Sequence, residues 1–394
     1  MSRRTGTGSA VTDPDEVLAN AKRLQPLLDS HAAANDTSGS IAQDVIDALY
    51  DSGAVAAYTP RELGGVEMSP TQILDLFRTL AFADPAAAWV ASALGFEAGL
   101  AGAFFEKEAA NELFQTEHLG IAGQGTRPGK AVPVKGGYSL SGEWSFASGI
   151  RHATHVHTAA ANTETGETRF FILPLEQVTV IENWDVLGLR ATGSLDYKVD
   201  GVFVPASFSY PTLSREPVTG GSLYHVGIGN FASINHGGWA LGVGRRLLDE
   251  LSKLVRAKAG RAVANKNNDA FNEEFAEAEA KLRAARALLY EVWHGIEETL
   301  GNGDELSTRQ ETLNRLALSN ATWSVKSVAD FVFKSAGTAA IRPGVIQRLF
   351  RDVNTGTQHI SSSPSILQAT GRELAGIAIG QQWIHFQLKA PEAA

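Results

Sequence analysis

The sequence predicts an α+β protein in three successive parts: helices first, a small antiparallel β-domain in the middle, and a helical bundle at the end. Three observations carry this. Helical periodicity runs to about Glu117, apolar and polar residues then alternate strictly after Gly136-Gly137, and beyond residue 270 apolar residues recur alternately three and four apart. A chain of 394 residues also exceeds what one ordinary core organises.

The first dozen residues are polar, with Arg3 and Arg4 and no apolar run behind them, so 1–12 reads as a loose tail and not a signal peptide. The N-terminal helical domain is placed at 13–117. Asp13 precedes Pro14, and Val17, Leu18, Ala21, Leu24 and Leu28 follow at helical spacing. Ser69-Pro-Thr-Gln72 is a capping box with proline at the first helical position. The helix it opens should bury Ile73, Leu76, Phe77, Leu80 and Ala81, and Asp84-Pro85 should cap the next. That next stretch, Ala86 to Phe105, carries a single charge, Glu97. A central acid costs roughly 2.5–3.5 kcal/mol on insertion into a bilayer, and a run made mostly of Ala and Gly offsets little of that. A buried helix is the reading preferred to a membrane span.

The β-domain is placed at 118–210. Tyr138, Leu140, Gly142, Trp144 and Phe146 alternate with Ser139, Ser141, Glu143 and Ser145, which has the period of a strand. Further strands are expected at Thr154–Ala160, Arg169–Leu173, Val178–Glu182 and Ser194–Phe203. From 211 to 394 the chain is helical again. Phe275, Ala278, Leu282, Ala285, Leu289, Val292 and Ile296 form the seam of a bundle helix. Leu313, Leu316, Asn320, Trp323 and Ser327 are expected to continue it in the next.

Composition excludes several functions. A net charge of -9 without any Lys/Arg run offers nothing to nucleic acid or an anionic membrane. There is no cysteine, hence no disulfide, thiolate metal site or cysteine nucleophile, and a cytoplasmic location is expected. His152, His155 and His157 suggest a metal cluster, but on a strand His155 and His157 share one face and His152 does not. No acid or cysteine sits near them in sequence, so no metal is expected.

The strongest local signals are Gly142-Glu-Trp-Ser-Phe-Ala-Ser-Gly149 and the run from Trp184 to Ser194, which ends Arg190-Ala-Thr-Gly-Ser194. Neither is a phosphate loop or a dinucleotide fingerprint, and by residue chemistry alone both could be β-turns. Lys334-Ser-Ala-Gly-Thr338 and Gln347-Arg-Leu-Phe-Arg-Asp352 come later, and Pro60-Arg-Glu-Leu-Gly-Gly65 earlier. In this order, spanning Pro60 to His359, the segments resemble the acyl-CoA dehydrogenase superfamily. That implies its fold: an N-terminal helical domain, a central antiparallel β-domain and a C-terminal four-helix bundle. Within the superfamily the likeness is greatest to the reduced-flavin aromatic hydroxylases, through Trp144-Ser-Phe-Ala-Ser-Gly149 with His152 and through Arg351-Asp-Val-Asn-Thr-Gly-Thr-Gln-His359.

A negative observation favours the hydroxylases. A dehydrogenase needs a carboxylate to take the substrate's α-proton. The superfamily carries it shortly after the Arg-Asp or early in the first long bundle helix. Here neither Val353–Arg372 nor Phe231–Arg246 contains Asp or Glu, and His359 stands in the first of them.

The resemblance implies FAD or FMN, reduced by a separate flavin reductase, and O2 as cosubstrate, acting through a C4a-hydroperoxyflavin. Trp144, Phe146, Ala147, Ser148, Arg190, Thr192, Gly193 and Ser194 would line the flavin, with Ser148 beside N5. Arg261 and the segment Ser335, Ala336, Gly337 would reach a neighbouring subunit's cofactor, which implies a homotetramer. Val263-Ala264 replaces the Phe-Gly usual after that arginine, which leaves FMN as open as FAD. His359 would take a phenolic proton, since an imidazole can titrate near neutrality. Trp89, Gln124, Asn235 and His236 would face the substrate, although Trp89 is most simply a core residue, with a pocket-wall role second, and His236 is equally a hydrogen-bonded core histidine. The rival activities are an acyl-CoA dehydrogenase with its base elsewhere and an N- or S-oxygenase on the same scaffold.

Overall fold

The computed structural model describes residues 11–258 and 268–390. Arg261 and residues 1–10 of the expected tail lie outside them. The N-terminal helices are α1 (Pro14–Ser38), α2 (Gln43–Asp51), α3 (Pro70–Ala83), α4 (Pro85–Phe104) and α5 (Lys107–Leu113). Their caps are those written in the sequence. Asp13 caps α1, and Ser69 and Gln72 form a reciprocal capping box on α3. Asp84 ends α3 and accepts from Ala86 and Ala87 N–H at the head of α4. Ile73, Leu76, Phe77, Leu80 and Ala81 are all fully buried.

Helix α4 lies inside the protein. All of its residues are buried except Trp89, Ala93, Phe96 and Glu97, which are partly accessible. Those positions are i, i+4, i+7 and i+8, a single helix face. A buried helix with one accessible stripe lines an internal cleft.

The sheet has seven strands in the order β5-β6-β2-β1-β3-β4-β7. They are β1 (Ile121–Val134), β2 (Gly137–Ala147), β3 (His155–Asn162), β4 (Thr168–Pro174), β5 (Thr179–Ile181), β6 (Leu195–Pro205) and β7 (Ser209–Pro211). The sheet is antiparallel except at one junction, where β1 and β3 run parallel. Strand β2 returns alongside β1 and ends beside its start, and a short turn at 150–152 begins β3 on β1's other side. Strand β1 was not expected. Its glycines and prolines break the alternation, and its register breaks between Gln124 and Gly129.

The C-terminal helices are α6 (Ile228–Lys258), α7 (Asn268–Gly301), α8 (Thr308–Ala336), α9 (Thr338–Ile341), α10 (Val345–Gly356) and α11 (Pro364–Leu374). A hairpin of β8 (Gln382–Ile384) and β9 (Gln387–Lys389) follows them. Helix α8 packs against α6, α7, α10 and α11, while α6 also lies along α3 and so joins the two helical regions.

The seam expected on α7 is buried from Ala278 to Ile296, with Phe275 partly so. On α8 the expected stripe is displaced. Its buried face is Ala317, Ala321, Val325, Val328 and Val332, whereas Leu313, Leu316, Asn320 and Ser327 are half-buried and Trp323 is exposed. Small side chains let α8 approach its neighbours closely: a Cβ on Gly244 of α6 would come within 2.9 Å of Val325. A reading of large residues passes over such a seam.

Candidate active site

Strand β2 loses register with β6 between Trp144 and Ala147, and there Phe146 takes a φ of 70°. Non-glycine residues avoid that conformation. It leaves Phe146 62% exposed, edge-on to Trp184 at 6.1 Å, and brings Ser148 to the base of the cleft. Trp144 is placed elsewhere. It is in the β-domain core, stacked on Tyr197, with its indole N–H on the carbonyl of Ala159. Ala147 is likewise fully buried.

The hydroxyls in the cleft form a hydrogen-bonded chain. Thr192 lies 2.8 Å from the carbonyl of Leu189 and 2.7 Å from the hydroxyl of Ser194. Ser194 lies 2.8 Å from Ser148, which accepts the indole N–H of Trp89 at 3.1 Å. The Leu189 carbonyl also receives Thr192 N–H and Trp184 Nε1, so the chain can run in either direction. In both directions Ser148 keeps one hydrogen-bonding position for a partner in the cleft.

The turn carrying Thr192 and Ser194 is held from behind. Asp352 of α10 accepts the N–H of Leu189 at 2.6 Å, while Leu189 has a φ of 52° and receives Trp184 Nε1 on its carbonyl. Gly188 is required here, because a Cβ would lie 2.2 Å from the backbone of Arg351. Arg351 itself grips Asp36 of α1 and the carbonyl of Leu187. Burial raises the Asp352 carboxyl to about 7. The Arg351-Asp352 pair was legible as a motif, but its function as a clamp on the opposite loop was not.

Across the cleft, His236 of α6 and His359 stack with centroids 4.0 Å apart. Trp89 stands edge-on to both, at 4.5 and 5.9 Å. His359 follows α10 and pairs its Nδ1 with the Ser361 hydroxyl at 2.7 Å. Both rings keep partial access to the cleft while lying within the protein envelope. Burial lowers His359 to about 4, and burial together with its neighbour His359 holds His236 well below the usual histidine range. Both are neutral at pH 7. Asn235 beside them is buried, with its Oδ1 unpartnered among the described residues.

Trp89, Ser148, Thr192, Ser194, His236 and His359 thus converge on one place, with Phe146 at its rim. The remaining candidates do not. Arg190 is half-buried, with no side-chain bond among the described residues. Ser335, Ala336 and Gly337 end α8 and share no hydrogen bond with the cluster. Gln124 is on β1 opposite Thr158, and its side chain lies outside the described residues. No group of three metal-ligating side chains exists among the described residues. Glu97 was passed over as a candidate, although it is the lone charge of a buried helix. Glu97 Oε2 lies 2.5 Å from His157 Nδ1, off the line of a directed hydrogen bond.

The cleft suits a flavin. Phe146 with Trp184 offers an aromatic wall to a planar ring, and the Ser148 hydroxyl has one position left for a polar ring atom.

Residues 234–364 match the family model "Acyl-CoA dehydrogenase, C-terminal domain". The chain is 29% identical over 361 residues to an indole-3-acetate monooxygenase of Acinetobacter baumannii, covering 85% of this chain and 88% of that one. It is 26% identical over 368 residues to the flavin-dependent monooxygenase oxygenase subunit HsaA of Mycobacterium tuberculosis, covering 89% and 93%. The crystal structure of HsaA from M. tuberculosis superposes with a TM-score of 0.86 at 24% identity, over 93% of this chain and 98% of that one. XiaF from Streptomyces sp., in complex with FADH2 and glycerol, gives 0.84 at 20%, over 92% and 96%. TdsC from Paenibacillus sp. A11-2, with FMN and indole, gives 0.77 at 19%, over 95% and 99%.

Proposed function

We propose that the chain is a flavin-dependent monooxygenase of the acyl-CoA dehydrogenase superfamily, the oxygenase component of a two-component system hydroxylating a small aromatic substrate, a reading supported by its family-model match and its monooxygenase relatives. The observation that carries the reading is the hydroxyl chain ending on Ser148 at Trp89, with His236 and His359 across the cleft. Bound reduced flavin supplies the electrons that activate O2, one oxygen atom entering the substrate and the other leaving as water. Phe146 and Trp184 would hold its ring, and Ser148 would accept its N5–H. The free position on Ser148 can serve N5 of either flavin form, and the reduced form would be delivered by a separate flavin reductase. FAD and FMN both fit this part of the site.

The substrate ring would lie between Trp89, His236 and His359, which exclude water from the reacting atoms. An imidazole lowered to about 4 is a weak base. His359 would accept a hydrogen bond from a phenolic or indolic donor and take its proton only as the ring is attacked. Among the described residues, no free acid of the kind a dehydrogenase needs stands at this end of the cleft. Glu97 lies two helical turns from Trp89, about 12 Å along the axis, and the Asp352 carboxylate is spent on Leu189. A homotetramer, with Ser335 to Gly337 and Arg261 serving a neighbour's cofactor, belongs to the same proposal.

The test supplies chemically reduced flavin anaerobically with indole as substrate, then admits 18O2. Label in a hydroxylated indole product is the expected result. Quantitative H2O2 with no labelled product across indoles and phenols, or flavin reduction by an acyl thioester, removes the reading.

A further inference from the structure

The accessible stripe of α4 begins at Trp89, beside Ser148 and the two histidines, and ends at Glu97. It faces a second stripe. In the first turns of α6, Ala232 and His236 are partly accessible between buried neighbours, at i and i+4. Trp89 meets His236, and Phe96 meets Phe231 at 5.5 Å, so the helices run antiparallel along a common cleft. Its near end holds the hydroxyls and the histidines. The far end is apolar apart from one carboxylate.

Glu97 is poorly satisfied for a carboxylate with a side chain only 13% exposed. Oε2 touches His157 without a directed bond, and Oε1 has no hydrogen bond among the described residues. Behind it the arrangement is rigid. His157 is fully buried, its Nε2 is 2.8 Å from the Tyr210 hydroxyl, and its ring stacks on Phe170 at 4.3 Å. A buried carboxylate with spare acceptor capacity gains most from a charged N–H donor. A second carboxylate brought beside it would meet like-charge repulsion in a desolvated place.

We propose that Glu97, backed by His157 and Tyr210, determines specificity by selecting aromatic substrates whose short side arm ends in an ammonium or another N–H donor. This rests on the hydroxylase reading and sharpens it. The ring lies at the Trp89 end, and the arm runs along Ala93 and Phe96 to Glu97. An arylacetate would direct its carboxylate onto Glu97, so the cleft discriminates against that class.

Calorimetric titration of the full-length protein with tryptamine, indole and indole-3-acetate tests this without turnover. Wild type should bind tryptamine about tenfold tighter than indole-3-acetate, which corresponds to about 1.4 kcal/mol. Glu97→Gln, equal in size and without charge, should abolish that preference while leaving indole affinity unchanged. A general attraction of cations to an acidic chain would survive the substitution and would overturn the proposal, as would tighter binding of indole-3-acetate by wild type. If Glu97→Gln does not fold, the wild-type ranking at rising salt decides: a preference held by a buried carboxylate persists, whereas one screened away overturns the proposal. Failure of 18O transfer across indoles and phenols instead removes the hydroxylase reading, so the two failures are distinguishable.

Discussion

At Ser148 two of the hydroxyl's three hydrogen-bonding positions are committed and one is left, which gives the residue a definite expected phenotype. Ser148→Ala should keep the fold, because Trp89 and Ser194 retain their packing. It should divert turnover to H2O2. Coupling equal to wild type would leave Ser148 as a turn residue. At His359 the expected defect is in oxygen transfer. His359→Ala should slow hydroxylation of a phenol by about 10²-fold, the low end for a positioned acid–base group. A ring lowered to about 4 stays neutral throughout pH 6–8, so the wild-type rate should show no histidine inflection there. The variant's deficit should shrink at higher pH, where the phenol ionises unaided, and stopped-flow traces at several pH values would read it. A deficit that stays constant with pH would make His359 a packing residue. Ser148, Thr192, Ser194, His236 and His359 were all legible in the sequence, since each lies in or beside a recognisable motif. Trp144 lies in the core with Leu140, as the alternation places it, whereas the exposure of Phe146 depends on a local register break that alternation does not show. Glu97 and His157 were missed because 60 residues separate them, and neither has a chemical neighbour in sequence.

Among the elements, α10 has an effect disproportionate to its twelve residues, since Asp352 fixes the loop that carries half of the hydroxyl chain. Asp352 is raised in the folded state to about 7, against an ordinary carboxyl near 3.9. The folded protein therefore holds this proton more tightly than the unfolded chain. The resulting stability is complete below about pH 4 and is lost as pH rises through about 7. Asp352→Asn is neutral at every pH and its amide oxygen can still accept from Leu189. The melting temperature of the variant relative to wild type should rise between pH 5 and pH 8, by the equivalent of at most about 1.4 kcal/mol per pH unit. A difference independent of pH would mean that Asp352 is ionised throughout. The helices with caps and large apolar stripes were legible as elements. Strand β1 and the inner seam of α8 were not, because glycine, proline and alanine make close approach possible without marking it in a hydrophobic pattern.

For the whole molecule, the order of helices, sheet and helices followed from the sequence, but the cleft did not. It exists because α4 lies with one face turned to α6 and its end to the sheet, a relation between three regions that periodicity within any one cannot express. The same relation bears on how the protein is made. The catalytic hydroxyls lie on either side of the junction between β2 and β6, and β6 can join β2 only after the chain has travelled through β3, β4 and β5. The β1–β2 and β3–β4 pairs close locally and early, whereas the β2–β6 pairing spans a long intervening loop and closes late. Ser148 and Ser194 meet only at that last step. A nascent or refolding chain would therefore have most of its helices and hairpins before it could hold a flavin. Until the sheet is complete, the half-built site would be unable to activate oxygen.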